Sequence, residues 1–75
     1  MESVNKLVML GKKQLEDEDY NEALHSFEQA ILLNQKDPDL WNLKGIALRS
    51  LGRYDEAIEC FNKSLEIDPR DRNAS

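Results

Sequence analysis

Seventy-five residues hold one cysteine, one histidine, two prolines, three glycines and a single tryptophan. A lone cysteine, Cys60, excludes an intrachain disulfide, and no basic cluster beside it suggests a reactive thiol. It reads as a small side chain on a helix face. One histidine and one cysteine are too few for a Cys/His zinc cluster. His25 reads as decoration on the outer side of a helix. No apolar run approaches the roughly 20 residues that span a bilayer. The N-terminus lacks the basic-then-apolar pattern of a signal peptide. An intracellular, cytoplasmic protein without membrane contact is the expectation. Basic charge is also short: ten Lys and Arg face fifteen Asp and Glu, a net charge of -5. That argues against nucleic acid as the partner. No glycine-rich phosphate loop or nucleophile–base pair is present, so no cofactor and no enzymatic activity are expected. The acidic run Glu16, Asp17, Glu18, Asp19 lacks the spaced ligands and the glycine of a calcium loop. It ends one helix and leads into the next.

What the chain does have is a period. Tyr20-Asn21-Glu22-Ala23-Leu24 with Phe27 returns as Tyr54-Asp55-Glu56-Ala57-Ile58 with Phe61, 34 residues later. Gly11/Gly45 and Asp37/Asp71 share the offset. Ala30/Ser64, Ile31/Leu65, Leu33/Ile67, Asn34/Asp68 and Lys36/Arg70 match conservatively. A fixed spacing of this size denotes stacked copies of one supersecondary unit. The copies run 4–37 and 38–71, with 72–75 as a tail or the truncated start of a further helix.

Each copy reads as two helices. Ala23, Leu24, Phe27, Ala30 and Ile31 form an amphipathic stripe, repeated by Ala57, Ile58, Phe61, Ser64 and Leu65. Leu7, Leu10, Gly11 and Gln14 in the first half, and Trp41, Lys44, Gly45 and Leu48 in the second, are also at helical spacing. Asp37-Pro38 suits a helix start. Gly52 suits a stop with positive φ, and Glu18 at the matching place predicts a less comfortable corner. Asn21 and Asp55 are the candidate caps of the second helices. An all-α layered packing follows. Gly11, Gly45, Ala23 and Ala57 let helices approach, and Phe27, Phe61, Trp41 and Tyr54 fill the space between them.

These residues resemble a pair of tetratricopeptide repeats, whose pattern is W-x2-L-G-x2-Y, then A-x3-F, then P. Trp41, Gly45, Leu48, Tyr54, Ala57, Phe61 and Pro69 carry it in the second copy. Leu7, Leu10, Gly11, Tyr20, Ala23 and Phe27 carry it in the first. Lys44, Gln14, Ser64 and Gln35 depart from it and suggest looser packing; Lys44 must extend its ammonium along its apolar stem.

The resemblance implies two antiparallel helix-turn-helix repeats in an α-solenoid with right-handed superhelical twist. It also implies a concave face lined by the first helix of each pair. On this chain that face presents Asn5, Val8, Lys12, Leu15 and Glu16, then Asp39, Asn42, Ile46, Arg49 and Ser50. A protein partner, either an extended peptide or a helix, is implied there. Family members that clamp chaperone C-terminal carboxylates carry a Lys and an Asn where this chain has Val8 and Lys12, so that specialisation is not expected.

Terminal repeats need a polar cap, and about three repeats are normally needed for stability. Ile58 and Leu65 sit where a following repeat would cover them. Either the chain is a piece of a longer array, or self-association into a homodimer or helix-swapped oligomer covers that stripe. The competing functional classes are a peptide-binding adaptor, a self-associating structural module and a regulatory appendage of a separately encoded enzyme.

Overall fold

The computed structural model describes residues 2–69. Among them are four helices: α1 (Glu2–Glu16), α2 (Tyr20–Leu33), α3 (Pro38–Ser50) and α4 (Tyr54–Ile67). Helix α1 pairs with α2, α3 pairs with α4, and α2 packs on α3. The chain is thus two helical hairpins in sequence. The tail expected at 72–75, with Arg70 and Asp71, lies outside the described residues.

Local chemistry sets the corners. Asp37 Oδ1 accepts the Asp39 amide at 3.0 Å, with Pro38 in the first turn of α3. An otherwise orphaned N–H is satisfied there, and proline sacrifices none that is needed. At the end of α1, Asp19 N–H donates to Gln14 O and Glu18 N–H to Leu15 O. At the end of α3, Arg53 N–H donates to Leu48 O and Gly52 N–H to Arg49 O. Both are Schellman closures, which require a left-handed residue at the corner. Gly52 takes it at φ 82 and Glu18 at φ 65. The less comfortable first corner expected from Glu18 is therefore present.

This closure corrects one expectation. Asn21 and Asp55 do not cap the second helices. Each tight corner leaves three residues between helices, so α2 and α4 begin at Tyr20 and Tyr54. The cap positions fall to Asp19 and Arg53, and neither side chain makes a capping hydrogen bond. Asn21 and Asp55 are already inside the first turn. Arg53 instead grips Glu56 with two hydrogen bonds of 2.8 Å.

The core comprises two linked clusters. Ala23, Leu24, Phe27, Ala47, Leu48, Ala57 and Cys60 form one, with Leu15, Trp41, Leu43, Leu51 and Phe61 at its margin. Val4, Ala30, Ile31 and Leu40 form the other, with Leu7 and Val8 packed against it. The two copies differ systematically in burial. Leu24 is 6% exposed, whereas its counterpart Ile58 is 55% exposed. Phe27 and Ile31 are buried, whereas Phe61 and Leu65 are half-buried. The reason is neighbourhood: α3 covers α2, and among the described residues no helix covers the same face of α4. Tyr54 is consequently 62% exposed and does not fill an interhelical space, which corrects its expected role. Trp41 and Phe61 fill theirs only in part.

Two of the departures from the repeat pattern have local compensation. Gln14 Oε1 accepts a 2.7 Å hydrogen bond from Ser26 Oγ, tying α1 to α2. Lys44 meets Glu28 of α2 at 3.6 Å. Ser64 has none: its hydroxyl is buried without a hydrogen-bond partner among the described residues.

Candidate functional site

The face proposed from α1 and α3 is built on the two first helices. Asn5, Lys12 and Glu16 are exposed on α1, as are Asp39, Arg49 and Ser50 on α3. Val8, Leu15, Asn42 and Ile46 are half-buried. Val8 and Leu15 pack against the margins of the two core clusters, so they are anchored on one side while still reaching solvent. The result is a polar surface broken by three aliphatic spots. Amphipathic helix spacing explains the mixture, because one edge of each stripe extends past the buried seam.

A second surface was not legible as a motif. The ends of α2 and α4 flank a cleft of about 880 Å³, with α3 contributing Trp41 and Lys44 between them. The Trp41 Nε1–H donates to Gln35 O at 2.9 Å, which fixes the ring. Lys44 Nζ lies 5.6 Å and Lys63 Nζ 5.9 Å from the ring centroid, within cation–π range. The only advance signals were Trp41 itself and the misplaced Lys44. Lys63 comes from another helix, and its approach depends on how α4 packs.

Burial pushes the Cys60 thiol up, with Lys44 only partly opposing the shift. A raised thiol is a poor nucleophile. Cys60 is buried in the core, consistent with a packing role. His25 is exposed on α2. Among the described residues no group of three His, Cys, Asp or Glu side chains could hold a metal ion, and no helix is long and apolar enough to cross a membrane. The Glu56 carboxyl is held below its ordinary value by the hydrogen bond from Arg53.

Tetratricopeptide repeat models match residues 7–37 and 38–71, the two helical hairpins. The chain belongs to the tetratricopeptide repeat family. The two antiparallel hairpins are then successive repeats in a solenoid-like all-α fold, and repeats of this kind build protein-interaction modules. An uncharacterized protein of Methanocaldococcus jannaschii is 48% identical over 50 residues, covering 67% of this chain and 58% of that protein. The Superkiller protein 3 of Schizosaccharomyces pombe is 32% identical over 62 residues, covering 83% of this chain and 4% of that protein. The peroxisomal targeting signal receptor of Saccharomyces cerevisiae is 31% identical over 52 residues, covering 69% of this chain and 8% of that protein. The tetratricopeptide pair thus spans little more than half of the archaeal relative and a small part of the two yeast proteins.

Proposed function

We propose that this repeat pair is a non-enzymatic scaffold that holds a peptide or partner helix against the α1/α3 face. Asn5, Val8, Lys12 and Leu15 supply one half of that surface, and Asp39, Asn42, Ile46 and Arg49 the other. The observation that carries the reading is the half-burial of Val8, Leu15 and Ile46 among exposed polar side chains. Fixed aliphatic spots ringed by hydrogen-bonding groups suit peptide recognition, where a few apolar anchors supply energy and polar groups supply register. A relative named as a receptor for a targeting signal supports the same class. A peptide selected by display against the folded chain tests it by NMR. Amide shifts should centre on Asn42, Ile46 and Arg49, and Lys12→Glu with Arg49→Glu should weaken binding. Shifts confined to α4 would overturn this reading.

A second reading is favoured by one observation: Tyr54 and Ile58 stand exposed on a face whose counterpart in the first repeat is covered. On this reading, self-association of the chain through α4 buries Ile58 and Leu65. Sedimentation at rising micromolar concentration should show a dimer that Ile58→Lys with Leu65→Glu abolishes. A monomer of 8.7 kDa throughout would eliminate it.

A further inference from the structure

The cleft around Trp41 has a charge opposite to that of the molecule. The chain carries -5 overall, yet three lysines line this cleft against one glutamate. They come from three elements: Lys36 from the α2–α3 connection, Lys44 from α3 and Lys63 from α4. Lys44 is paired with Glu28 at 3.6 Å, and Lys63 with Glu66 at 3.9 Å. Lys36 has no ion pair among the described residues. Between the lysines lie the Trp41 ring, Ile31 and Leu32, and Leu32 is 67% exposed.

We propose that this cleft is a second docking site, which takes an acidic peptide segment whose carboxylates flank a large aliphatic side chain. The aliphatic group would lie on Trp41 and Leu32, and the carboxylates would reach Lys36, Lys44 and Lys63. This site differs from the α1/α3 face. At 3.6 residues per turn, Trp41 and Lys44 lie on another side of α3 from Asn42, Ile46 and Arg49.

Charge and size together select the occupant. Lysines on three separate elements suit several anionic groups spread along a chain better than one compact anion. The volume lies toward the upper end of the roughly 300–1,000 Å³ typical of small-molecule sites, enough for several residues. A nucleic-acid strand would also stack on tryptophan. It would, however, have to approach an acidic molecule with only three cations to replace its counterions. Positive charge on an otherwise negative surface steers an acidic segment here and repels it elsewhere.

Trp41 is the only tryptophan, so its emission reports on this cleft directly. The 75-residue chain is titrated with a short acetylated, amidated peptide of alternating aspartate and leucine. The comparison probes are the same peptide with lysine for aspartate, and oligothymidylate. The aspartate peptide should give a saturable change in emission that weakens with added salt. Lys36→Glu with Lys63→Glu should weaken it by about tenfold or more, while Arg49→Glu should leave it unchanged. Both lysines are exposed, so the double variant should keep its helical circular dichroism. If it unfolds, Lys36→Gln with Lys63→Gln gives the same reading. No saturable change, equal binding of the lysine peptide, indifference to the double variant, or tighter binding of oligothymidylate would each overturn the proposal. Because Arg49→Glu probes the α1/α3 face separately, either docking surface can fail without the other.

Discussion

The ring of Phe27 lies directly over Gly11: a Cβ built on that glycine would stand 2.5 Å from Phe27 Cε1. Gly45 and Phe61 repeat the relationship at the same distance. The glycines are therefore needed so that an aromatic ring can lie against the backbone of the partner helix.

Adding a methyl group separates the two repeats. Phe27 is fully buried and cannot retreat, whereas Phe61 is half-buried and can swing outward. Alanine would gain about 1 kcal/mol of helix propensity at either site. Overpacking costs about 1–3 kcal/mol where neighbours are fixed. Gly11→Ala should be net destabilising in urea denaturation, and Gly45→Ala clearly less so. Equal effects would show that Phe27 is free to move.

The left-handed corners supply an opposite pair. Glu18 adopts φ 65 despite its Cβ, and Gly52 adopts φ 82 with open space around it. The penalty for a non-glycine residue there is about 1–2 kcal/mol. Thermal denaturation should find Glu18→Gly more stable than the native chain by about 1 kcal/mol and Gly52→Ala less stable by a similar amount.

Ser64 occupies the place that Ala30 fills in the first repeat, and its hydroxyl is buried without a partner among the described residues. A buried unsatisfied hydroxyl costs about 1–3 kcal/mol. Ser64→Ala removes it at a site already shaped for a small side chain. A rise in the urea midpoint with an unchanged slope is the expected result; a fall would mean that the hydroxyl is satisfied in solution.

The Arg53–Glu56 pair gives a pH signature. The hydrogen bond from Arg53 holds the Glu56 carboxyl below its ordinary value of 4.5. A carboxyl lowered in the folded state contributes stability above its unfolded value and loses it as pH falls through the folded one. Glu56→Gln should therefore lower the melting temperature near neutral pH, and the gap from the native chain should close at pH values below 4.5. Both side chains are exposed, so the gap should also shrink in high salt.

Most of the fold could be read from the chain, because periodicity is a local property. The spacing of Ala23, Phe27 and Ala30, and its return 34 residues later, specified helices and their pairing. Asp37-Pro38 and Gly52 marked corners through backbone requirements that a few residues express. Less was legible where the geometry of a corner, not residue type, sets the start of the next helix. Asn21 and Asp55 looked like caps by type, but the Schellman closures put the caps two residues earlier, at Asp19 and Arg53.

The sequence by itself determined the repeat, its helices and the small positions facing Phe27 and Phe61, since all of these follow from residue size at fixed intervals. Only the tertiary structure decided which equivalent residues are covered. Leu24 and Ile58 are nearly the same side chain in the same place, yet one is buried and the other half open, because burial depends on the helix beyond. The gathering of Lys36, Lys44 and Lys63 around Trp41 is of the same kind. No spacing in the chain encodes it, because it arises when α2, α3 and α4 pack together.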